Sequence, residues 1–366
     1  MSVLNLSNEN YKTGKYPLFL GEALGLNDEI NITYPEIDKI KRFHQSMYWL
    51  PEEFSFEQDR KDLLEAPDSE KDVMILNLLA QWALDSLASR SIVELFGPLV
   101  SNTEVHGWFL VQSFFEDIHA ATYSKIIRNA MTNPEAVIER GVKNLEVFKR
   151  TEIIGNVFND MKKITGRYMQ GIEMEEEYVK YNILRSIFAL YGLEQISFMS
   201  SFASTFALVE TGRYQGIGKA VGSICNDESV HAEGDRIVFK CLLREPSYKE
   251  IFEKNKEEFT HILDEIVAQE HRWSEYIFSE GRRVLGLNTE LLKEYVNHTS
   301  KPCYDNLGLE WDTNRFGSAL AENPLPYMDK YFDRDLTQSA PQEIESNNYR
   351  VGQVEDDLSD SEILDF

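Results

Sequence analysis

Two carboxylic acids stand in the middle of stretches that are otherwise apolar: Asp85 in LLAQWALDSLA and Glu194 in FALYGLEQISFMSSFASTF. A carboxylate in such surroundings carries a heavy desolvation cost unless it is paired, hydrogen-bonded or bound to a cation. Any fold of this chain must therefore bring compensating groups to both positions. The same faces carry no lysine or arginine. Downstream of each acid the chain instead carries a repeated motif: Glu116 and His119 lie 31 and 34 residues after Asp85, and Glu228 and His231 lie 34 and 37 after Glu194.

In an α-helix a spacing of three sets a carboxylate and an imidazole on one face, where both can ligate one metal ion or flank a pair. A single ExxH is weak evidence. With 7 histidines and 62 acids in 366 residues, chance alone produces an acid three places before a histidine about once. This chain has three Glu cases, and only two are preceded by a carboxylate in an apolar helix. The third, Glu258 and His261, lies in the charged stretch KNKEEFTHILDEI and reads as ordinary surface. His44, His106, His271 and His298 show no ligand spacing.

The surrounding chain reads as long helices. No proline falls between Pro134 and Pro246. Residues 69–99 open with Ser69 and Asp72 in capping-box spacing and are apolar around most of the helical wheel, which predicts a buried helix. Gly97, Pro98 and Ser101 break it. The pattern predicts further helices over 103–131, 174–210, 215–243 and 247–280, the second and third of these separated by a break near Gly212 and the last amphipathic. If each carboxylate helix folds back on the ExxH helix after it, the ligands meet at one level. The expectation is an all-α bundle of long helices with a dinuclear metal site in its core. Its candidate ligands are Asp85, Glu116, His119, Glu194, Glu228 and His231, a set that suits paired iron or manganese.

Composition narrows the function. A net charge of −25 argues against nucleic-acid or membrane-surface binding, which favour Lys and Arg. Three cysteines (Cys225, Cys241, Cys303) without CxxC spacing suit a reduced, cytoplasmic setting, and Cys225 reads as packing beside the site. The N-terminal stretch does not read as a signal peptide, and no apolar run is long enough to span a membrane. From about residue 336 the chain turns acidic: LTQSAPQEIESNNYRVGQVEDDLSDSEILDF carries eight acids and one base, and reads as disordered when free.

One further residue bears on the chemistry. Tyr123 lies one turn beyond His119 on the ligand face, where an oxidising metal pair would reach it; a buried tyrosine can equally be core packing. Through EDIHAATY, MYWLPEE, GLEQISFMSSF and NDESVH, the chain closely resembles the small, radical-bearing subunit family of class I ribonucleotide reductase. The resemblance runs from residue 47 to the tail. It implies a ferritin-like fold, two iron ions (manganese as the alternative), a tyrosyl radical on Tyr123, and an apolar radical pocket of Phe198, Phe202 and Ile224. It implies a transfer route through Trp49, with Asp227 bonding toward it and toward His119, and then through Tyr349 in the tail, with Glu343 upstream.

It also implies a homodimer and docking of the tail, residues 336–366, on a large catalytic subunit, with residues 1–335 forming the metal-binding domain. Asn226 and Gln112 depart from the family pattern, where many relatives carry Arg and some Trp. Two other readings of the same metal set are a di-iron oxidase or desaturase acting on a small molecule, and a ferroxidase-type iron-storage protein.

Overall fold

The structure, a computed structural model, describes residues 4–332. Its helices are α1 (Pro35–Gln45), α2 (Glu57–Glu65), α3 (Asp68–Phe96), α4 (Thr103–Ala130), α5 (Pro134–Lys143), α6 (Leu145–Lys149), α7 (Glu152–Met169), α8 (Glu176–Gly192), α9 (Met199–Val209), α10 (Gln215–Leu242), α11 (Pro246–Lys254), α12 (Lys256–Ile277) and α13 (Thr289–Leu307), with shorter turns between and after them. Two isolated β-bridges occur, but no strand is present among the described residues. The all-α, ferritin-like bundle expected from the sequence is what the chain forms.

The long helices α3, α4, α8–α9 and α10 enclose the centre. α1 packs on α4 and α10, and α12 and α13 close the side of α8 and α9. The α3–α4 hairpin turns through Gly97–Leu99 and restarts at Asn102, whose side chain accepts from the Val105 N–H at 3.0 Å. That bond satisfies one of the amides left open at a helix start. The start of α10 is capped differently. Asp62 and Asp59 of α2 accept from the backbone N–H groups of Tyr214 (2.9 Å) and Ile217 (2.8 Å). Gly216 makes this approach feasible, because a Cβ there would lie 2.3 Å from the Ser55 carbonyl.

Three local expectations change. The capping box at Ser69 does not form. α3 begins at Asp68 behind Pro67, while the Ser69 hydroxyl exchanges hydrogen bonds with the Arg283 backbone and Asp72 pairs with Arg140 at 2.8 Å. Tertiary partners outcompete the local cap. The helix expected over 247–280 is two, α11 and α12, split at Asn255. The Asn255 side chain donates to the Ile251 carbonyl at 2.7 Å and leaves helical backbone angles there. The helix expected over 174–210 starts at Glu176 and is continuous in direction, but it is wound as a π-turn at Leu193–Ser197.

α4 and α10 approach closely where Trp108 lies flat against Gly234. A Cβ built at Gly234 would sit 2.0 Å from the Trp108 ring, and that ring is tied by its Nε1 donating to Asp235 at 3.1 Å. Gly234→Ala should therefore lower stability by about 1–3 kcal/mol through overpacking. Urea denaturation would measure this, and a midpoint equal to wild type would refute the close contact.

Candidate metal centre

α3 contributes Asp85, α4 contributes Glu116, His119 and Tyr123, the π-turn contributes Glu194, and α10 contributes Glu228 and His231; none of these is exposed at all. The six candidate ligands fall into two overlapping groups. Asp85, Glu116, His119 and Glu228 form one; Glu116, Glu194, Glu228 and His231 form the other. Within each, one donor atom per residue lies within 4.8 Å of all the rest. Glu116 and Glu228 belong to both groups, as bridging carboxylates would.

Each imidazole presents Nδ1 to the cluster. His119 Nδ1 is 3.0 Å from Glu228 and 3.8 Å from Asp85; His231 Nδ1 is 2.8 Å from Glu228, 2.9 Å from Glu116 and 3.9 Å from Glu194. Several donors otherwise lack partners. Both oxygens of Asp85, Glu194 Oε2 and the Tyr123 hydroxyl have none. Two carboxylates about 4 Å apart repel by about 4 kcal/mol at an effective dielectric near 20. Several such pairs together rival the whole stability of a typical fold, about 5–15 kcal/mol. Cations or protons must offset that repulsion, and four hard oxygen donors with two imidazoles fit a pair of divalent ions.

The titration behaviour of the bare protein expresses the same strain. Burial, then the charges of Glu228 and Glu116, holds Asp85 well above the ordinary carboxylate range; burial, then Glu116 and Glu228, does the same to Glu194. Burial also raises Glu116. Glu228 goes the other way: burial pushes it up, but His119 and His231 together more than offset this. His231, which burial alone would lower, is raised to about 9 by the carboxylates.

Around the cluster lies a ring of partners. Asp227 Oδ2 is 3.0 Å from His119 Nε2 and accepts from Trp49 Nε1 at 2.8 Å. Trp49 stacks parallel to His119 at 6.1 Å and is 8% exposed, so this line of contacts runs from the cluster toward the surface. On the opposite side Gln112 Nε2 donates to Glu194 Oε1 at 3.1 Å and to Asp235 Oδ2 at 3.0 Å. Burial raises Asp235 to about 7.

Tyr123 is fully buried, and burial, followed by the charges of Asp85, Glu228 and Glu116, pushes its phenol well above the usual range. Phe198 and Phe202 stack at 5.6 Å on the continuation of the Glu194 helix, and Ile224 sits one turn before Glu228; all three are completely buried. Tyr349 and Glu343 lie outside the described residues. His261 is exposed and Glu258 faces Arg185 at 3.4 Å, so the third ExxH stays away from the centre.

Two residues of the ring are not among the sequence candidates. His44 is fully buried on α1, stacked on Phe115 at 3.8 Å, with Nε2 3.4 Å from Asp227, and burial lowers it to about 4. Nothing in its local sequence marks it, because its neighbours come from other helices. Asp235 did carry a signal: it follows His231 by four residues and so shares the ligand face of α10.

Comparison with known proteins gives one consistent family. Residues 27–316 match the family described as ribonucleotide reductase, small chain. A ribonucleoside-diphosphate reductase subunit beta of Haemophilus influenzae is 30% identical over 366 aligned positions, covering 96% of each chain. The subunit beta of Buchnera aphidicola from Schizaphis graminum is 29% identical over the full length of both. Among solved structures, a ribonucleotide reductase subunit of Clostridium botulinum superposes with a TM-score of 0.78 at 24% identity, over 91% of this chain and 98% of that one. The dimanganese(II)-NrdF structure from Streptococcus sanguinis gives 0.65 at 19% identity, over 86% and 100%.

The raised acids and the raised His231 make the folded, metal-free protein bind more protons than the unfolded chain, so its stability falls as pH rises. Asp235 contributes its loss between 3.8 and about 7, and His231 between 6.5 and about 9. Glu228 acts in the opposite sense below its ordinary 4.5, and His44, lowered from 6.5 to about 4, does so between those values, against the larger number of raised groups. Melts of the metal-free protein should show Tm declining from about pH 5 to about pH 9, and Asp235→Asn should flatten the part below pH 7. A Tm that climbs over this range would contradict the assignment.

Proposed function

Because the chain belongs to the ribonucleotide reductase small-chain family, we propose that it generates and stores a one-electron oxidant on Tyr123 and lends it to a large catalytic subunit. As the small subunit of a ribonucleoside-diphosphate reductase it is one component of an oxidoreductase. The observation that carries the finer reading is the fully buried, unpartnered Tyr123 hydroxyl beside two overlapping carboxylate–imidazole groups.

Asp85, Glu116, His119 and Glu228 would hold one ion; Glu116, Glu194, Glu228 and His231 would hold the other. When bound there, a pair of iron ions, or of manganese, supplies the reduction of dioxygen and the oxidising power. The protein's own contribution is positional and electrostatic. Asp227 fixes the His119 ring through Nε2, which leaves Nδ1 to face the carboxylates. Gln112 holds one oxygen of Glu194 and leaves Oε2 without a partner.

Burial and the carboxylates keep the Tyr123 phenol protonated until it is oxidised. A phenoxyl radical formed in dry surroundings such as the pocket of Phe198, Phe202 and Ile224 has no nearby donor to quench it. Transfer outward would follow His119, Asp227 and Trp49, whose contacts of 3.0 and 2.8 Å make an unbroken hydrogen-bonded line. Tyr349, with Glu343, would continue it in the tail, residues 336–366, docked on the large subunit while residues 1–335 form the body.

The alignment with the Buchnera protein spans the whole chain, tail included, which supports a role common to relatives. An exposed apolar stripe on α1, the segment after it and α4 (Phe43, Tyr48, Leu110, Phe114), with Tyr48 stacked on Phe114 at 5.9 Å, supports pairing of two copies. A cytoplasmic location completes the reading.

Electron paramagnetic resonance after ferrous iron and dioxygen are added to the metal-free protein tests the radical. Wild type should give a tyrosyl signal and Tyr123→Phe none, with iron binding unchanged; an equal signal from both would assign the radical elsewhere. Removing residues 340–366 should leave that signal intact and abolish nucleotide reduction with the large subunit, whereas full activity without the tail would rule out tail docking.

A further inference from the structure

A second charged cluster lies inside the bundle, away from the metal centre. Arg150 follows α6 in a short linker, yet its side chain is only 2% exposed. It forms a two-pronged pair with Glu270 of α12: Nε to Oε1 at 2.8 Å and Nη2 to Oε2 at 2.7 Å. Glu270 is 1% exposed and also accepts from the Ser200 hydroxyl. The guanidinium lies 4.6 Å over the Trp273 ring. A buried ion pair of this kind is weak evidence for stability, since apolar residues of similar volume often serve the fold as well or better. Its place in the chain suggests another use.

The same Arg150 Nη2 donates to the Ser197 carbonyl and reaches the Ser200 hydroxyl at 3.4 Å. Ser197 is the last residue of the π-turn Leu193–Ser197, and Ser200 stands in the first turn of α9. A π-turn is a rare winding of the helix that is found frequently at functional sites. Here it carries Glu194. α12 is brought against this turn at Gly192, where a Cβ would lie 2.6 Å from Ile266; Glu270 follows Ile266 by one helical turn. Gln112 holds the Glu194 carboxylate from one side. The Arg150 fork holds the backbone from the other.

We propose that Arg150 and Glu270 are positioning residues that lock the π-turn and thereby set the ion affinity of the Glu116, Glu194, Glu228 and His231 group alone. Asp85, Glu116, His119 and Glu228 lie on ordinary α-helix and do not depend on the clamp. The clamp presupposes that these groups bind two ions, and the experiment below separates the two ideas.

Metal-free full-length protein is titrated with Co(II), and heat and visible absorption are followed for wild type, for the apolar double variant Arg150→Met/Glu270→Leu, and for Arg150→Lys. Lysine keeps the charge but lacks the fork. Wild type is expected to take two ions per chain. The double variant is expected to bind one ion as wild type does and the other about 10–100-fold more weakly, the range found when an outer partner of a ligand is lost; Arg150→Lys is expected to fall between. Wild-type affinity for both ions in the double variant, with or without a change in Tm, overturns the proposal. Equal weakening of both ions overturns it too, since that is a general structural effect. If circular dichroism shows the double variant unfolded, Arg150→Lys decides by the same criterion. Failure of the wild type itself to bind ions would instead sink the metal reading on which the clamp rests.

Discussion

The centre of this molecule is governed by the mutual repulsion of four buried carboxylates. Asp85, Glu116, Glu194 and Glu228 are drawn into a space where each sits within 4.8 Å of at least two others, and the positive charge facing them comes from two imidazoles. Such a cluster is unstable without cations or protons. In the metal-free protein burial and the neighbouring carboxylates hold Asp85 and Glu194 well above the ordinary carboxylate range, the carboxylates raise His119 and His231, and the two imidazoles hold Glu228 low. Two divalent ions would have to displace those protons, because they bind ionised carboxylates and neutral imidazoles.

The rest of the bundle holds that cluster together. α3 is buried around much of its circumference, and Asp85 is completely buried. Asp227, His44 and Trp49 secure the His119 side. Gln112, Asp235 and Trp108 secure the Glu194 side, and Gly234 lets α4 and α10 approach closely enough for the Trp108–Asp235 bond to form. The two sides differ in kind. One leads by hydrogen bonds to the Trp49 indole, itself all but buried. The other is closed off by the π-turn and by the ion pair of Arg150 with Glu270.

That asymmetry suits the family to which the chain belongs. On the function proposed above, an oxidant would be made in isolation from solvent and delivered elsewhere, and the Trp49 side would be its exit. The Glu194 side, with its displaced helix turn held at both the side chain and the backbone, is where the protein exerts most control over the geometry of a ligand. Tyr123 is fully buried, its hydroxyl without a hydrogen-bond partner among the described residues.

The sequence by itself determined most of the helices and the candidate ligand set, because both are written in short-range periodicity. Apolar residues around the wheel specify a buried α3; a spacing of three puts Glu and His on one face; the repeat of carboxylate then ExxH pairs the helices. Even Asp235 was legible as the residue four beyond His231. What only the tertiary structure decided are contacts between residues far apart in the chain. Ser69 gave up its local cap for the Arg283 backbone, and Asp59 and Asp62 of α2 came to cap α10. His44 reached Asp227 across 183 positions of sequence (227 minus 44). The π-turn at Glu194 packs against α12 at Gly192, and buried Arg150 holds its last carbonyl, that of Ser197. No local pattern encodes these, since their energies depend on which helices become neighbours.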